Sequence, residues 1–498
     1  MDWNTVIHNV FNVYSILYMT VGCALGTVFG CIPGLSTPIA LALVLPLIFK
    51  TDVHLAICLM MGIYCGGVSG GLVSAIMLKI PGSSAAVATT FDGYPMAQRG
   101  EGARAMSIGV FASFFGGTVS TIFLMLLANP LAHIALGFGP WEYFGTALMA
   151  LILAVFLMKG DPLKSLITAC IGVLLTTVGI SPIDGVAERF TFGSVHLKNG
   201  FQMIALVIGV FALPEVLKNA GRIKNIKPAV KLEKKRFYLI SWSDLKELFT
   251  TMVRGSILGT IVGILPGLGG GPACLMGYAM EKRFSKEPET FGTGNPHGIA
   301  APESANNATV GGALIPMLSL GVPGDTNTSI ILGAFTLLGI ATGPIMVQNT
   351  PEVFTTTILA VFVANFVMLI LQSFSIPYLV KMLSVSNIYL LPIITVFCVT
   401  GCISLNNNTF EVYYMMVLLF IGYLLESNDY PVAPLIIGFV LGGTVETNLR
   451  RSIMYYGSFT NCLSKVSIGT LFFGVSIIIP IIYLILGIKN ARDAKKAS

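Results

Sequence analysis

The 498-residue chain has little charge, since Asp, Glu, Lys and Arg make up only 10% of it, whereas a soluble globular domain carries roughly 25%. Its mean hydropathy is +0.83. Apolar runs of about 20 residues, the length that crosses a bilayer, recur along the chain. The composition excludes a large soluble domain. It predicts an all-α polytopic membrane protein of about 10–14 transmembrane helices, some of them broken or re-entrant where glycine and proline interrupt a run.

The motifs of common hydrolases and ATPases are missing: the sequence has no HExxH, no GxSxG and no Walker A segment. The nine cysteines form no CxxC pair, so we interpret them as small buried side chains and not as metal ligands. Asp325 in "GVPGD" and Asp429 in "NDY" raise the alternative of an intramembrane aspartyl protease, but the order and spacing of its motifs are wrong. We therefore expect no enzymatic activity, no catalytic residue, no cofactor and no metal site.

The N-terminal sequence "MDWNTVIHNVFN" lacks the basic segment and cleavage site of a signal peptide, so the first apolar run is expected to remain a membrane helix. Much of the net charge of +6 lies in two basic segments, at 222–236 and 489–498. Basic loops favour the cytoplasmic side of a membrane, so both segments are expected to face the cytoplasm. No nucleic-acid partner is needed to explain them.

Two segments of the first half recur in the same order in the second half. "GTVFGCIPGL" at 26–35 matches "GTIVGILPGL" at 259–268, and "GGVSGGLVSAIMLKIPGSS" at 66–84 matches "ATVGGALIPMLSLGVPGDT" at 308–326, at offsets of 233 and 242. Two matching halves are typical of secondary transporters, although chance likeness of glycine-rich segments is the alternative. The predicted organisation is a first membrane repeat at 1–218, a basic cytoplasmic linker at 219–245, a second membrane repeat at 246–490 and a basic tail at 491–498. A fainter match pairs "FTFG" at 190–193 with "FVLG" at 439–442.

Glycine recurs at every fourth position before the first Pro-Gly of each half, at 22, 26, 30 and 34 and again at 255, 259, 263 and 267. Such a stripe lies on one face of a helix and lets a second helix approach to backbone contact. Pro-Gly then breaks the helix, because proline lacks a donor and glycine relaxes the chain. At membrane depth a break is tolerated where it is buried in protein or lines a polar cavity.

Four Pro-Gly breaks, two in each half, are each followed by small or polar residues of the kind that begin helices. Helix N-termini attract anions, so we predict that the four breaks converge on one substrate site. The alternative is that Pro-Gly only kinks these helices. The predicted substrate-binding residues are Gly34, Ser36, Thr37, Pro81, Gly82, Ser83, Ser84, Gly267, Gly269, Gly270, Pro323, Gly324, Asp325, Thr326 and Thr328.

Polar side chains in "HGIAAPESANNATVGG" predict a second kind of site. Glu303, Asn306 and Asn307 lie in a small-residue segment, and ionisable groups at membrane depth are candidates for function. Their oxygens suit a coupling cation, so we predict that these three residues bind Na⁺ or H⁺. A loop outside the bilayer is the alternative for Glu303. Lys79 either pairs with a substrate carboxylate or extends to the membrane interface.

Five segments, including "GCIPGLSTPIALALVLPL", "GIAAPESANNATVGGALIPMLSLGVPG" and "YPVAPLIIGFVLGGTVETNLRRS", resemble the TctA family over about residues 20–455. TctA is the large membrane subunit of the tripartite tricarboxylate transporters. The resemblance implies a bacterial inner-membrane permease with a small membrane subunit and a periplasmic solute-binding protein as partners, and cation-driven uptake of a tricarboxylate or dicarboxylate. The chain departs from the family pattern at Lys79-Ile80 and at Asp325, which lie at or beside the predicted substrate site.

Two other functions remain open from the residues alone. One is a channel, and the other is a non-transporting scaffold for a partner subunit. Paired helix breaks in two repeats favour a carrier with alternating access over a channel, and an uptake measurement separates a carrier from a scaffold.

Overall fold

The computed structural model describes residues 3–157, 161–183, 185–220, 237–383, 387–406 and 409–497. Most of the predicted basic linker, at 221–236, lies outside the described residues. The fold is 80% helical, which confirms the predicted all-α class. Within the described residues, seven helices are long and apolar enough to cross a membrane, and four shorter helices are also apolar. The chain is therefore a multi-pass membrane protein.

Up to residue 220 the described chain forms ten α-helices and one two-stranded antiparallel hairpin. They are α1 (Trp3–Phe11), α2 (Val13–Cys31), α3 (Thr37–Ile48), α4 (Val53–Leu78), α5 (Thr89–Met96), α6 (Gly102–Ala135), α7 (Pro140–Leu157), α8 (Pro162–Thr176), β1 (Gly179–Ile180), β2 (Glu188–Arg189), α9 (Met203–Val207) and α10 (Leu213–Ala220). A short 3₁₀ turn spans Ser84–Ala86, and π-helical turns lie at Ala97–Glu101 and Ile208–Ala212.

Eleven further α-helices follow in the described chain after residue 236. They are α11 (Trp242–Ile264), α12 (Gly270–Phe284), α13 (His297–Leu320), α14 (Thr326–Leu337), α15 (Pro344–Asn349), α16 (Pro351–Met382), α17 (Asn387–Asn406), α18 (Phe410–Ser427), α19 (Ala433–Tyr456), α20 (Phe459–Leu463) and α21 (Ile468–Ala497). Helix α11 begins inside the range predicted as linker, and α21 includes most of the predicted tail.

The chain divides into two compact units. Unit 1 comprises Met1–Ala132 and Met203–Tyr423, and unit 2 comprises His133–Gln202 and Leu424–Ser498. Each unit draws residues from both halves of the sequence. The fainter match at 190–193 and 439–442 joins unlike structures, because the first segment follows β2 and the second lies within α19.

The core of unit 1 is built on α4 and α13. Every residue from Ala56 to Met77 is buried in α4, and every residue from Gly298 to Ser319 is buried in α13. Helices this small-residue-rich and buried on all sides pack against protein around their whole circumference. Eight of the nine cysteines are buried as expected, whereas Cys170 is exposed on α8.

Candidate functional site

Two pairs of helices in unit 1 are held together by the glycine stripes. In the first pair α2 lies against α4, and a Cβ placed on Gly26 would lie 2.2 Å from the Ile63 carbonyl oxygen. In the second pair α11 lies against α13, and a Cβ on Gly259 would lie 2.0 Å from the Ala305 carbonyl oxygen. Backbone contact of this kind requires glycine. The predicted close approach is confirmed in both pairs.

The first Pro-Gly of each half breaks its helix with the same backbone geometry. Helix α2 is followed by Ile32 at φ −83° and ψ 117°, and α11 by Leu265 at φ −80° and ψ 116°. Gly34 and Gly267 then take φ 91° and 89°, a conformation that only glycine adopts readily. The chain re-enters a helix at α3 in the first half and at α12 in the second.

The second break of each half begins with a left-handed residue, Lys79 at φ 60° after α4 and Gly321 at φ 72° after α13. Pro-Gly follows, and its glycine packs against the first break. A Cβ on Gly82 would lie 2.1 Å from the Gly30 carbonyl oxygen, and one on Gly324 would lie 2.8 Å from the Gly263 carbonyl oxygen. The two breaks of each half therefore lie side by side.

Breaks from different halves also meet. A Cβ on Gly270 would lie 2.4 Å from Asn306 Oδ1 and 3.0 Å from Ala85 Cβ, and one on Gly271 would lie 3.4 Å from Ser84 Oγ. A Cβ on Gly269 would lie 3.4 Å from Asp325 Cβ. The start of α12 thus touches the 84–86 turn of the first half, the middle of α13 and the start of α14.

The remaining first-half residues lie along α4. Thr37 contacts Gly67, where an added Cβ would lie 2.6 Å from Thr37 Oγ1, and Ser83 Oγ is 3.0 Å from the corresponding position on Gly71. Gly67 and Gly71 are one helical turn apart, so Thr37 and Ser83 are neighbours on one face of α4. Ser36 and Ser83 begin their helical segments without a side-chain capping bond.

Asp325 is the N-cap of α14, as its position after Pro-Gly predicts. Its Oδ1 accepts from the Thr328 backbone N–H at 2.7 Å and from the Thr328 hydroxyl at 2.8 Å. Its Oδ2 accepts from the Tyr64 hydroxyl at 2.9 Å and from Asn327 Nδ2 at 3.0 Å. Both carboxylate oxygens are therefore engaged inside the protein. Thr326 begins the helix and is partly exposed.

Glu303, Asn306 and Asn307 lie within α13 and are at most 1% exposed, so the alternative of a loop outside the bilayer is wrong for Glu303. The Glu303 carboxylate accepts from the hydroxyls of Thr89 and Ser113, the latter at 3.0 Å. Asn307 Nδ2 donates to the Glu303 backbone oxygen at 3.1 Å, and Asn306 Nδ2 donates to the Val68 carbonyl at 3.4 Å.

Three buried polar atoms in this region have no hydrogen-bond partner among the described residues: Ser83 Oγ, Asn306 Oδ1 and Asn327 Oδ1. Most buried polar atoms in proteins are hydrogen-bonded, so each buried atom without a partner needs an explanation. The lone pairs of these three oxygens are therefore not used within the described chain. Within the described chain, no group of three His, Cys, Asp or Glu side chains has the arrangement of a metal site.

Sequence reasoning missed several polar partners. Tyr64, Thr89 and Ser113 are single polar residues in apolar surroundings, and nothing local distinguishes them. Tyr64 had one usable signal, because it lies 242 positions before Asn306, at the offset of the second matching segment.

Asp92 on α5 was also missed, and it anchors the long loop after α12. Its Oδ1 accepts from the backbone N–H groups of Gly292, Gly294 and Asn295 at 2.7–2.9 Å. Its Oδ2 accepts from the Tyr278 hydroxyl at 2.9 Å. One buried carboxylate thus holds the loop and α12 against the first half of the chain.

A family model described as the tripartite tricarboxylate transporter TctA family matches residues 16–437. Two proteins of Agrobacterium vitis are similar to the chain. One, named "Uncharacterized 52.8 kDa protein in TAR-I ttuC' 3'region", is 36% identical over 479 residues, which cover 96% of this chain and 95% of that protein. The other, "Uncharacterized protein in TAR-II ttuC' 3'region", is 37% identical over 235 residues, 47% of this chain and 97% of that protein. No solved structure matches the chain significantly.

Proposed function

The chain belongs to the tripartite tricarboxylate transporter TctA family, and from that premise we propose that it takes up tricarboxylates or dicarboxylates in symport with Na⁺ or H⁺. In this proposal it is the permease of a bacterial inner membrane. It works with a small membrane subunit and with a periplasmic solute-binding protein that delivers the substrate.

This proposal depends mainly on one observation. Helix breaks from both halves of the sequence meet around buried oxygens that have no hydrogen-bond partner in the described chain. The start of α12 touches Ser84 and Asn306, and the free atoms Ser83 Oγ and Asn306 Oδ1 belong to different halves. In secondary transporters, broken helices at a repeat interface bind the substrate and the coupling ion. A protein that only scaffolds a partner has no need of buried polar atoms that lack partners, which cost free energy.

Substrate carboxylates are assigned to the helix starts that carry no side-chain cap. These starts follow Ser36, Ser83 and Gly269, and their free backbone N–H groups favour an anion. The start of α14 is different, because Asp325 already caps it. In this proposal Asp325 holds Tyr64 and, with Thr326 and Thr328, shapes the site, while the hydroxyls of Ser83 and Ser84 contact the substrate.

The coupling cation is assigned to α13. Asn306 Oδ1 is a free, buried oxygen ligand, and Glu303 is a buried carboxylate whose described hydrogen-bond donors are hydroxyls and not cations. A buried carboxylate without a counter-ion is stabilised by taking up a proton or a metal cation. Na⁺ bound beside Asn306 and H⁺ bound to Glu303 are both compatible with this arrangement.

The test is uptake into proteoliposomes that contain the chain with its small membrane subunit and its solute-binding protein. Labelled tricarboxylate or dicarboxylate is expected to accumulate only with an inward Na⁺ or H⁺ gradient. Ser84→Ala and Asn307→Ala are expected to lower the uptake rate at unchanged protein content. Equal flux with and without a gradient would indicate a channel. No uptake of any carboxylate by folded protein would indicate a scaffold.

A further inference from the structure

Unit 2 contains a cavity of about 410 Å³ between α8, the β1–β2 hairpin and α19. None of its lining residues belongs to the site described above. Six of the eleven lining residues have apolar side chains, and one cation, Lys198, contributes to the lining. The apolar lining side chains are Leu175, Val178, Ile180, Pro182, Phe201 and Phe439. A volume within about 300–1,000 Å³ is typical of small-molecule sites, whose few polar groups orient the ligand.

A charged cluster adjoins this cavity. Glu446 on α19 is paired with Arg189 of β2 and with Arg450, the latter at 3.0 Å. The cavity residue Gly443 precedes Glu446 by three positions and Arg450 by seven, so the three lie on one face of α19. The strand register pairs Ile180, which lines the cavity, with Glu188, and Glu188 accepts from Lys198 Nζ at 2.6 Å. The apolar cavity and the charged cluster are therefore continuous.

The cluster carries one excess positive charge, because Arg189, Arg450 and Lys198 face only Glu446 and Glu188. Hydrogen bonding to Lys198 lowers the pKa of Glu188, so this carboxylate is ionised at neutral pH. Arg189 Nε is buried and has no hydrogen-bond acceptor in the described chain. Guanidinium groups with unused donors favour phosphate and carboxylate oxygens.

The segment that follows β2 carries two exposed aromatic side chains. Phe190 is 60% and Phe192 is 90% exposed, and both have a positive φ, of 52° and 50°. A strained backbone that presents phenyl rings outward costs free energy in water. Contact with lipid removes phenyl rings from water, so we expect this segment to lie at the membrane surface. There the cavity and the charged cluster are within reach of lipid phosphates.

We propose that unit 2 binds one anionic phospholipid here, with part of an acyl chain in the cavity and the phosphate beside Arg189, Arg450 and Lys198. The single negative charge of a phosphodiester balances the excess charge of the cluster, and an acyl chain matches the apolar lining. Basic pockets between membrane helices are known to bind acidic lipid headgroups. A free phosphate ion satisfies the arginines but leaves the apolar cavity unfilled.

The test uses the full-length chain in a mild detergent. Native mass spectrometry and thermal melting are followed with dioleoyl-phosphatidylglycerol, with the zwitterionic phosphatidylethanolamine of the same chains, and with glycerol phosphate as the headgroup alone. We expect phosphatidylglycerol to bind about ten-fold more tightly than the zwitterionic lipid, because basic residues near a lipid surface attract anionic headgroups. Glycerol phosphate is expected to have little effect.

Four variants separate the two parts of the site. Arg450→Gln and Lys198→Gln are expected to remove the preference for phosphatidylglycerol. Gly443→Leu fills the cavity, where an added Cβ on Gly443 meets no atom within 4 Å, and is expected to reduce binding of either lipid without unfolding the protein. Lys465→Gln is the charge-matched control, because this exposed lysine lies over the Tyr456 ring and does not line the cavity.

Three results would overturn the proposal. The first is equal binding of the anionic and zwitterionic lipids. The second is wild-type lipid binding by Gly443→Leu. The third is stabilisation by glycerol phosphate equal to that by phosphatidylglycerol, which would indicate a site for a small anion only.

Discussion

The two helix pairs of unit 1 that pack through glycine stripes have matching backbone contacts but different buried side chains. Gly22, Gly26 and Gly30 contact α4 at Leu59, Ile63 and Gly67, while Gly255, Gly259 and Gly263 contact α13 at Ala301, Ala305 and Thr309. Each α13 contact lies 242 positions after its α4 counterpart. Yet Met61, Tyr64 and Cys65 on α4 correspond at this offset to Glu303, Asn306 and Asn307 on α13, and all six are buried.

The residues that the two pairs share and the residues that differ therefore have different roles. The glycines and Pro-Gly pairs determine where the helices touch and where they end, and these are the same in both pairs. A few side chains then give α13 a buried carboxylate and two carboxamides, whereas α4 has one tyrosine. The residues that the pairs share determine their structure, and the residues that differ are those that we propose bind the coupling ion.

The largest expected effect is that of Gly26→Val and Gly259→Val, which test whether the two stripes are equivalent. Each valine would force apart backbones that allow no Cβ, so each is expected to cost more than about 3 kcal/mol of stability and to abolish the monodisperse protein. Size-exclusion chromatography of the expressed chain is the measurement. Gly474→Val is the control, because an added Cβ there meets nothing within 4 Å. Tolerance of only one of the two substitutions would show that the pairs are not equivalent.

Glu303→Gln tests whether coupled uptake depends on the side chains that differ between α13 and α4. Gln keeps the size of Glu, and its Oε1 can accept from one of the hydroxyls of Thr89 and Ser113 while its Nε2 donates to the other, but it carries no charge. Coupled uptake is therefore expected to fall about ten-fold or more, which is about 1.4 kcal/mol in the barrier, while the melting temperature stays near that of the wild type. The control is Met61→Leu at the matching position of α4, for which wild-type uptake is expected. Unchanged uptake by Glu303→Gln would remove this carboxylate from the mechanism.

Asp325 and Ser83 are also 242 positions apart and follow matching Pro-Gly pairs. Asp325 makes a capping box with Thr328, so Asp325→Ala is expected to destabilise the protein by about 1–2 kcal/mol. Ser83 makes no side-chain capping bond, so Ser83→Ala is expected to leave the melting temperature unchanged and to lower only the uptake rate. Thermal melting and uptake of both variants are the measurements. Destabilisation by Ser83→Ala equal to that by Asp325→Ala would mean that both serine and aspartate act as caps.

The smallest expected effect concerns the left-handed residue after each long helix. The second half has Gly321 at this position, and the first half has Lys79 at φ 60°. Lys79→Gly is expected to stabilise the protein by about 1 kcal/mol by relieving a conformation that is unfavourable for residues with a Cβ. Lys79→Ala, which keeps the strain, is the control for loss of the side chain. A lower melting temperature for Lys79→Gly would indicate that contacts of the lysine, such as that with the Tyr94 ring, outweigh the strain.

Local signals in the sequence predicted the parts of the site that depend on neighbouring residues. The four-residue spacing of glycine located the helix contacts, Pro-Gly located the ends of α2, α4, α11 and α13, and the Asp that follows Pro-Gly located the cap of α14. These features depend on backbone freedom and on hydrogen bonds within a few residues. They can be read without knowing the tertiary structure.

The partners that come from distant segments could not be predicted in this way. Thr89 and Ser113 precede Glu303 by 214 and 190 positions, and neither lies in a repeated motif. Which helices form each unit could not be predicted either, because α7 and α8 pack with α19 and α21, which lie more than half of the chain length away. The pattern of one helix shows which face is apolar but not which distant helix covers it.

The anchoring of the 292–295 loop by Asp92 has a mechanical consequence. Four hydrogen bonds end on this one buried carboxylate, and bonds to a charged group are each worth about 1.5–3 kcal/mol. A conformational change that pulled α5 away from both α12 and the 292–295 loop would have to break all four together. We therefore expect these segments to move as one body, with any hinge at a position that no such carboxylate bridges.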